Sequence, residues 1–401
     1  MTSSFRVIVA GGGIAGLEAL FALRALAGEH VELTLVCPQD HFSYRPLAIA
    51  KPLALGAPRD TPLTAAARDA DARFVQDSLE AVDAGRQMVT LGSGETLEYD
   101  ALLLALGAAS VPAFQRTFTW DDARSVDDLG GLVRDLEEGY THRLAIVIPP
   151  GPGWPLPAYE LALLISAEAQ GMSMQPEITL ITPEQAPLGV FGSRAVEMVA
   201  AELRDAGVQL ELGAYAEMAD AHRPTVVMRP SGRRLEVDRV ISLPLLRGRA
   251  PAGVPADPDG FLSVDPHGRV AGTQGVWAAG DGIAFPVKFG GLAAEQADAA
   301  AADIAAEAGA LVERTPFRPV LRGRLLTGRG SRWIRYDAAG GGGEGEVATH
   351  ALWWPPGKVA GRWLAPWLAK RDDEAVAGDL PGVHGMPVQI DLSSPPVRSA
   401  R

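Results

Sequence analysis

The chain has 401 residues, 47% of them hydrophobic, and a formal net charge of −13. That length suggests two or three domains with ample material for a core, while the negative balance argues against nucleic acid and against broad attraction to anionic lipid. A single cysteine, Cys37, excludes an intramolecular disulfide or dithiol centre and argues against a cysteine-based metal site; no metal is expected.

Residues 1–5 carry no signal-like arrangement, and no run of about 18 uncharged apolar residues occurs, so a soluble cytoplasmic protein is expected. Residues 6–10 form a short β-branched run suited to a buried parallel strand. Gly11, Gly13 and Gly16 follow in G-x-G-x-x-G spacing, a helical pattern covers 17–26 and stops near Gly28, and a second strand covers 31–37. Gly11 allows the tight turn. Gly13, with Ile14 and Ala15 beside it, lets a pyrophosphate approach the helix N-terminus, and Gly16 allows close helix–strand packing. A plain glycine turn is the alternative, but the strand before and the helix after favour dinucleotide binding. The acidic residue that bonds a ribose about 20 residues past the last glycine is missing. That position falls near Cys37 or Pro38, with Glu32 too early and Asp40 slightly late, which leaves the ribose to Asp40 or to backbone. Cys37 reads as a buried filler near the adenosine end rather than a reactive thiol.

Residues 89–97 read as a hairpin turning at Ser93 and Gly94. Tyr99, Asp100 and the apolar run that ends at Ala105, Leu106 and Gly107 resemble the "YDxLxxATG" segment of the pyridine nucleotide–disulfide oxidoreductase superfamily. Residues 275–281, ending in Gly280 and Asp281, resemble its second flavin motif. The resemblance implies FAD as cofactor, with contacts from Ala105, Gly107 and Gly280, and with Asp281 on the ribityl chain. It also implies that a helix from Gly291 and Leu292 directs its N-terminus at the isoalloxazine ring and favours reduced, anionic flavin.

Within the superfamily the chain resembles sulfide:quinone oxidoreductases and the flavoprotein subunit of flavocytochrome c sulfide dehydrogenase. Residues 41–47 resemble the loop after their second strand, 148–160 the "PPxxxxxCPPGPYE" segment, and Thr182, Pro183 and Glu184 the quinone-reductase group. The resemblance places Trp154 where the redox cysteine stands and Arg45 where a cysteine attaches flavin covalently. Sulfide chemistry through a cysteine pair is therefore not expected. Arg45, beside Tyr44, is left to replace the covalent anchor by packing or a hydrogen bond.

Related NADH-using enzymes carry a second G-x-G-x-x-G where this chain has Pro149, Pro150, Gly151, Pro152, Gly153, Trp154 and Pro155. Proline lacks the N–H that cradles a phosphate, and Trp154 and Pro155 obstruct close approach. The strand over 144–148, helix over 159–170 and strand over 178–181 keep the βαβ shape. A retained fold with a lost or altered nucleotide site is expected.

Two side chains are candidate catalytic groups. Lys288 lies between Asp281 and the flavin-facing helix, where a cation could stabilise reduced flavin or bind an anionic substrate; an exposed lysine or a structural ion pair is the alternative. Glu160 is a candidate acid or base, or else a glutamate that satisfies the helix dipole. Glu295 and Gln296 could reach the flavin edge or a quinone, with solvated positions the favoured reading. His41 could take part in proton transfer, with a local turn role favoured.

Toward the C-terminus, 332–336 pairs with 347–353 in an expected hairpin joined by the glycine run 340–343. The stretch from Trp353 to Trp367 then holds four of the eight tryptophans, with lysine and arginine among them. That composition suits peripheral membrane contact, as in related quinone reductases; docking over the flavin or a homodimer contact is the favoured alternative. The polar tail from Asp372 is expected to be extended.

The fold class expected is α/β: two Rossmann-like dinucleotide-binding domains, each three-layered, plus a small C-terminal α+β segment. Residues 1–115 and 250–312 form the FAD-binding domain, 116–249 the second Rossmann-like domain, 313–371 the C-terminal hairpin and Trp-rich segment, and 372–401 the tail. The function expected is an FAD-dependent oxidoreductase resembling sulfide:quinone oxidoreductase. It would pass electrons from a small-molecule donor through non-covalent FAD to a quinone or other acceptor. An NAD(P)H dehydrogenase with an atypical nucleotide site is one alternative. A flavin-containing electron-transfer subunit with a protein partner, or a non-catalytic flavin-binding protein, is another.

Overall fold

A computed structural model describes residues 4–53, 60–122, 126–219, 223–340 and 343–371. The expected tail from Asp372 lies outside these residues. The β-branched run at the N-terminus forms the strand Phe5–Ala10, at the centre of a five-stranded sheet. Its strand order is Val276–Ala278, Ala101–Leu104, Phe5–Ala10, Val31–Val36, Ala72–Val75, and every neighbouring pair is parallel. Val9 lies opposite both Leu35 and Leu103. The three strands at Phe5–Ala10, Ala101–Leu104 and Val276–Ala278 are covered on both faces over most of their length, which is why they read as apolar runs rather than as alternation.

One face is covered by two helices, α1 (Ile14–Ala27) and, far along the chain, one at Gly290–Glu307. They meet through Leu17, Leu20 and Leu23 against Ala293, Ala297, Ala300 and Ala301, a seam where small side chains let the helix axes approach closely. The opposite face carries an antiparallel sheet of Leu79–Asp83, Met88–Leu91 and Thr96–Glu98, whose second turn holds Gly94 at φ 87°. The hairpin expected at Ser93 and Gly94 is therefore present.

The second sheet repeats the plan. Its order is Phe118–Thr119, Arg239–Ser242, Arg143–Val147, Glu177–Ile181, Gln209–Glu211, again all parallel. Helix α2 (Leu156–Gly171) follows the central strand, and an antiparallel sheet of Tyr215–Met218, Thr225–Arg229 and Arg234–Glu236 is associated with this half. The helix begins three residues before the expected start. Pro155 caps it and Pro157 sits in its first turn, where no donor is needed. The antiparallel pair Ala108–Val111 with Leu245–Gly248 links the two halves. With Gly290–Glu307 labelled α3, the architecture is the α/β, paired Rossmann-like fold expected.

The C-terminal segment departs from expectation. Val320–Leu326, Ser331–Asp337 and Glu346–Ala348 form a three-stranded antiparallel sheet. The expected pairing of 332–336 with 347–353 holds only as far as Ala348. The strand at 320–326 was not anticipated, because Arg322, Gly323 and Arg324 mask its alternation. Gly323 is there for packing: a Cβ on it would lie 2.8 Å from Phe191. Trp353 leaves the sheet, donating its indole N–H to the Gly357 carbonyl at 3.0 Å.

A short helix α4 (Leu364–Arg371) closes the described chain. Pro366 falls in its first turn and does not interrupt it. Its N-terminus is capped from a distance: the Glu18 carboxylate of α1 accepts the backbone N–H groups of Trp363 and Leu364, both at 2.8 Å. Trp367 packs on Phe21 with ring centroids 4.8 Å apart and donates to Asp69 at 3.1 Å. Three of the four tryptophans thus pack within the chain, while Trp354 is 80% exposed. Among the described residues no helix is long and apolar enough to cross a membrane.

Glu18 is fully buried, and Asp298 of α3 lies near it with one carboxyl oxygen unpartnered. Burial, with the Glu18 charge, pushes Asp298 up to about 8 against the pull of Arg362. A carboxyl so raised keeps its proton in the folded chain where the unfolded chain has lost it, so its contribution to stability falls as pH rises from 3.8 to about 8. Denaturation at about pH 5 and about pH 8 should show this loss, and Asp298→Asn should remove it. Glu18→Ala should cost about 1–3 kcal/mol by stranding two buried N–H groups, and should expose the segment after Gly357 to limited proteolysis.

Candidate functional site

The carboxyl ends of both sheets open into one cleft of about 1300 Å³. Its first wall is the glycine turn. Gly11 has φ 115°, and a Cβ there would lie 2.2 Å from the Ala105 carbonyl oxygen; a Cβ on Gly16 would lie 1.8 Å from that of Gly11. These two glycines are required by the chain itself. Gly13 differs: a Cβ on it meets nothing within 4 Å, so the space in front of it is open. Gly13 caps α1 without a side-chain bond, which leaves the first-turn N–H groups free for an anion.

Gly11, Gly13, Ile14, Ala15, Arg45, Ala105, Gly107, Gly280 and Asp281 line the cleft. Gly16 stands behind the turn. Gly291 and Leu292, expected at the flavin, are buried in the core, and Phe289, Gly290 and Ala293 face the cleft in their place. The helix therefore begins one residue earlier than expected and meets the cleft through Gly290 and Ala293.

Beyond the second strand, Cys37 is buried, and burial pushes its thiol up. Its Sγ lies 3.3 Å from Gln39 Oε1. Asp40 reaches the cleft but pairs with His41 Nδ1 at 2.7 Å, which holds its carboxyl below the usual range. Gln39 also lines the cleft; no motif pointed to it.

Lys288 is not a surface lysine: it is 4% exposed. Its ammonium donates to the Asp281 carbonyl at 3.1 Å and to the Ile283 carbonyl, and lies 4.1 Å over the Phe261 ring. Burial pushes it down to about 8, against the pull of Asp281. The Asp281 carboxyl is pushed up to about 6 by desolvation, with Lys288 pulling it down and Asp122 pushing it up. Asp122, exposed at the cleft wall near the Arg45 charge, comes from an irregular loop of the second half and carried no sequence signal.

Glu295 and Gln296 are not the solvated positions expected. Gln296 accepts the Gly280 N–H at 2.9 Å and so steadies the turn carrying Asp281. Glu295 accepts the Val320 N–H at 3.0 Å and pairs with Arg322. Glu295 is covered by the C-terminal sheet, and Gln296 by the turn at Gly280.

Glu160 is 1% exposed and reaches away from its own helix end. It accepts the Leu326 N–H at 2.9 Å and both its oxygens lie 2.7 Å from Lys358 Nζ. Burial raises the carboxyl and lowers the ammonium, shifts that draw the two proton affinities together. The Tyr44 hydroxyl accepts the Val359 N–H at 2.9 Å, tying the same C-terminal segment to the first half. Lys358, Val359 and Arg324 complete the cleft wall; proximity across some 200 residues of chain leaves no local signature in the sequence.

In the second half, the proline-rich loop is stitched to the flavin-side segment. The Gly153 N–H donates to the Pro286 carbonyl and the Lys288 N–H to the Gly153 carbonyl, both at 3.0 Å. Trp154 stacks on Phe289, centroids 4.3 Å apart and rings 17° from parallel, with its edge toward Phe191. Glu184, at the end of the next strand, accepts the Tyr159 hydroxyl at 2.6 Å and that of Thr182 at 3.0 Å. No cluster of three or more metal-ligating side chains occurs among the described residues.

Two parallel sheets, a glycine turn against a helix N-terminus and an aspartate at the mouth of a second strand define an FAD-dependent oxidoreductase. The chain belongs to the pyridine nucleotide-disulphide oxidoreductase family, whose model matches residues 5–304. It is 28% identical over 293 residues to ferroptosis suppressor protein 1 of Taeniopygia guttata, covering 70% of this chain and 74% of that one. It is 30% identical over 198 residues to the sulfide-quinone reductase of Aquifex aeolicus, 46% of this chain and 44% of that one. The solved sulfide:quinone oxidoreductase of Aquifex aeolicus shares the fold with a TM-score of 0.76 at 18% identity, over 93% of this chain and 91% of that one. FAD is the family's cofactor, and the cleft fits it: the open space at Gly13 and the uncapped helix suit a pyrophosphate.

Gly13→Val should therefore fill the cradle without straining the backbone. FAD content should fall at least roughly tenfold while circular dichroism stays unchanged. Glu160→Leu or Lys358→Met alone should cost about 3–5 kcal/mol, whereas the double replacement should be close to neutral, as chemical denaturation will show.

Proposed function

We propose that the protein is a flavoprotein oxidoreductase of the sulfide:quinone oxidoreductase type. It holds FAD non-covalently and passes electrons to a quinone or another acceptor, from a donor other than NAD(P)H. FAD supplies reversible two-electron chemistry. The residues of the chain hold and bias it. Gly11, Gly13, Ile14, Ala15 and the first turn of α1 take the pyrophosphate, and Gly16 lets that turn form. Ala105, Gly107 and Gly280 give close backbone approach, Asp281 takes the ribityl hydroxyls, and Arg45 takes the place of a covalent anchor. Gly291 and Leu292 set α3 so that its N-terminus faces the ring. Lys288 adds a buried positive charge that favours the reduced, anionic cofactor. Glu160 with Lys358 forms a proton-holding pair on the cleft wall.

The observation that supports a donor other than NAD(P)H is the stitched proline loop. A nicotinamide must slide between the second half and the flavin-side segment to reach the ring. Here two backbone hydrogen bonds and the Trp154–Phe289 stack span that gap. Sulfide chemistry through a cysteine pair is excluded, because the sole cysteine is buried Cys37.

A second reading, an NAD(P)H dehydrogenase, draws support from similarity to an NADH dehydrogenase-like protein of Mycobacterium tuberculosis, 30% identical over 301 residues. One experiment separates the two. Anaerobic mixing of the holoprotein with NADH or NADPH should leave the visible flavin band unbleached on the timescale of turnover; rapid bleaching selects the dehydrogenase.

Lys288→Met should lower the flavin reduction potential by about 30 mV, roughly 1.4 kcal/mol for two electrons. The lysine carries its charge below about pH 8 and loses it above, so the difference from wild type should shrink as potentiometric titrations cross that pH.

A further inference from the structure

Two borders of the cleft are built differently. One is the boundary between the two halves, which is held by main chain. Ala108–Val111 pairs with Leu245–Gly248, Gly153 exchanges backbone bonds with Pro286 and Lys288, and Trp154 stacks on Phe289. Parting the halves breaks backbone bonds at several points at once.

The other border is the segment between the strand Glu346–Ala348 and α4. Residues 349–363 form neither helix nor strand. Among the described residues, they make no backbone-to-backbone hydrogen bond to either half. Side chains hold them instead. From the first half, the Tyr44 hydroxyl accepts the Val359 N–H at 2.9 Å. From the second half, Glu160 of α2 holds the Lys358 ammonium at 2.7 Å. Further along, Glu18 of α1 accepts the N–H groups of Trp363 and Leu364. Arg324, on the C-terminal sheet, donates to the Pro356 carbonyl at 3.3 Å.

Val359 sits among these clasps and is 3% exposed. A Cβ on Gly290 would lie 2.6 Å from Ile14 Cδ1 and 2.8 Å from Val359 Cγ2. The start of α1, the start of α3 and this segment therefore meet at one point. Those two helix starts are the elements assigned above to the pyrophosphate and the ring. Lys358 and Val359 also face the cleft. Two glycines let the segment lie close. A Cβ on Gly357 would lie 3.3 Å from the Tyr44 hydroxyl, and one on Gly361 would overlap the Glu18 carboxylate.

We propose that residues 357–363 are a strap that retains FAD, and that the cofactor enters and leaves by release of this strap rather than by parting of the two halves. This rests on the FAD-dependent reading above. Breaking one clasp alone strands a buried group, so the strap opens as a whole or stays shut. Opened as a whole, it hands both partners of each clasp to water, and the net cost of each is small. Glu160 and Lys358 regain hydration, which offsets their lost attraction. The strap is the softer of the two borders.

The test follows FAD-loaded protein after dilution, with free FAD read by its fluorescence. Two quantities are taken, the half-time of release and the fraction released at equilibrium. Tyr44→Phe keeps the ring and removes the hydroxyl that receives the Val359 N–H. It should shorten the half-time roughly tenfold and leave the equilibrium fraction unchanged, because a gate speeds entry and exit alike. Val359→Ala should act in the same direction and serves if Tyr44→Phe does not fold. Wild-type half-times in folded variants overturn the strap. Faster release with a larger fraction released also overturns it, and marks Tyr44 as a cofactor contact. Faster release from Trp154→Ala than from Tyr44→Phe overturns it in favour of the boundary between the halves. Wild-type protein that holds no FAD overturns the flavoprotein reading itself.

Discussion

The contact between Gly16 and the Gly11 carbonyl, so close that one added carbon would sit 1.8 Å away, sets the geometry of this molecule. It lets α1 begin directly after the central strand and points its uncapped N-terminus into the cleft. Packing spreads outward from there. α1 meets α3 along a seam of leucines and alanines, and α3 steadies the turn carrying Asp281 through Gln296. α1 also carries Glu18, whose carboxylate receives the start of α4. One turn at the N-terminus is thus coupled to the last described helix.

Buried charge does the joining elsewhere. Glu160 with Lys358 fastens the C-terminal segment to the second half, and Glu295 with Arg322 fastens the C-terminal sheet to α3. Lys288 is held by carbonyls of its own loop and by the Phe261 ring. Each such group is costly to strand, so partial opening at these joints is disfavoured more strongly than area alone would imply. The cleft is lined by many segments distant in sequence, and these pairs keep its walls in register.

The second half repeats the plan of the first with different residues at its loops. The sheet, the helix after its central strand and the crevice beyond all remain. Its loop carries four prolines, Glu184 is engaged by Tyr159, and Trp154 stacks on Phe289. None of these residues disturbs the apolar strands, whose burial depends on their faces rather than on the loops at their ends.

Sequence by itself determined the parts governed by local rules. The strand–glycine–helix unit, the second flavin-type motif at Gly280 and Asp281, and the proline-rich interruption are all contiguous, and their meaning lies in backbone geometry within a few residues. Burial of Cys37 followed from the same local reasoning. Tertiary structure alone decided the rest. It showed Lys288 buried rather than exposed, and Glu160 paired with a lysine 198 positions away rather than spent on its helix dipole. It turned Glu295 and Gln296 inward, brought Asp122 and Gln39 to the cleft, revealed the strand at Val320–Leu326, and docked the end of the tryptophan-rich segment, at Trp363 and Trp367, on α1. A side chain's charge state and partner depend on what covers it, and what covers these residues arrives from elsewhere in the chain.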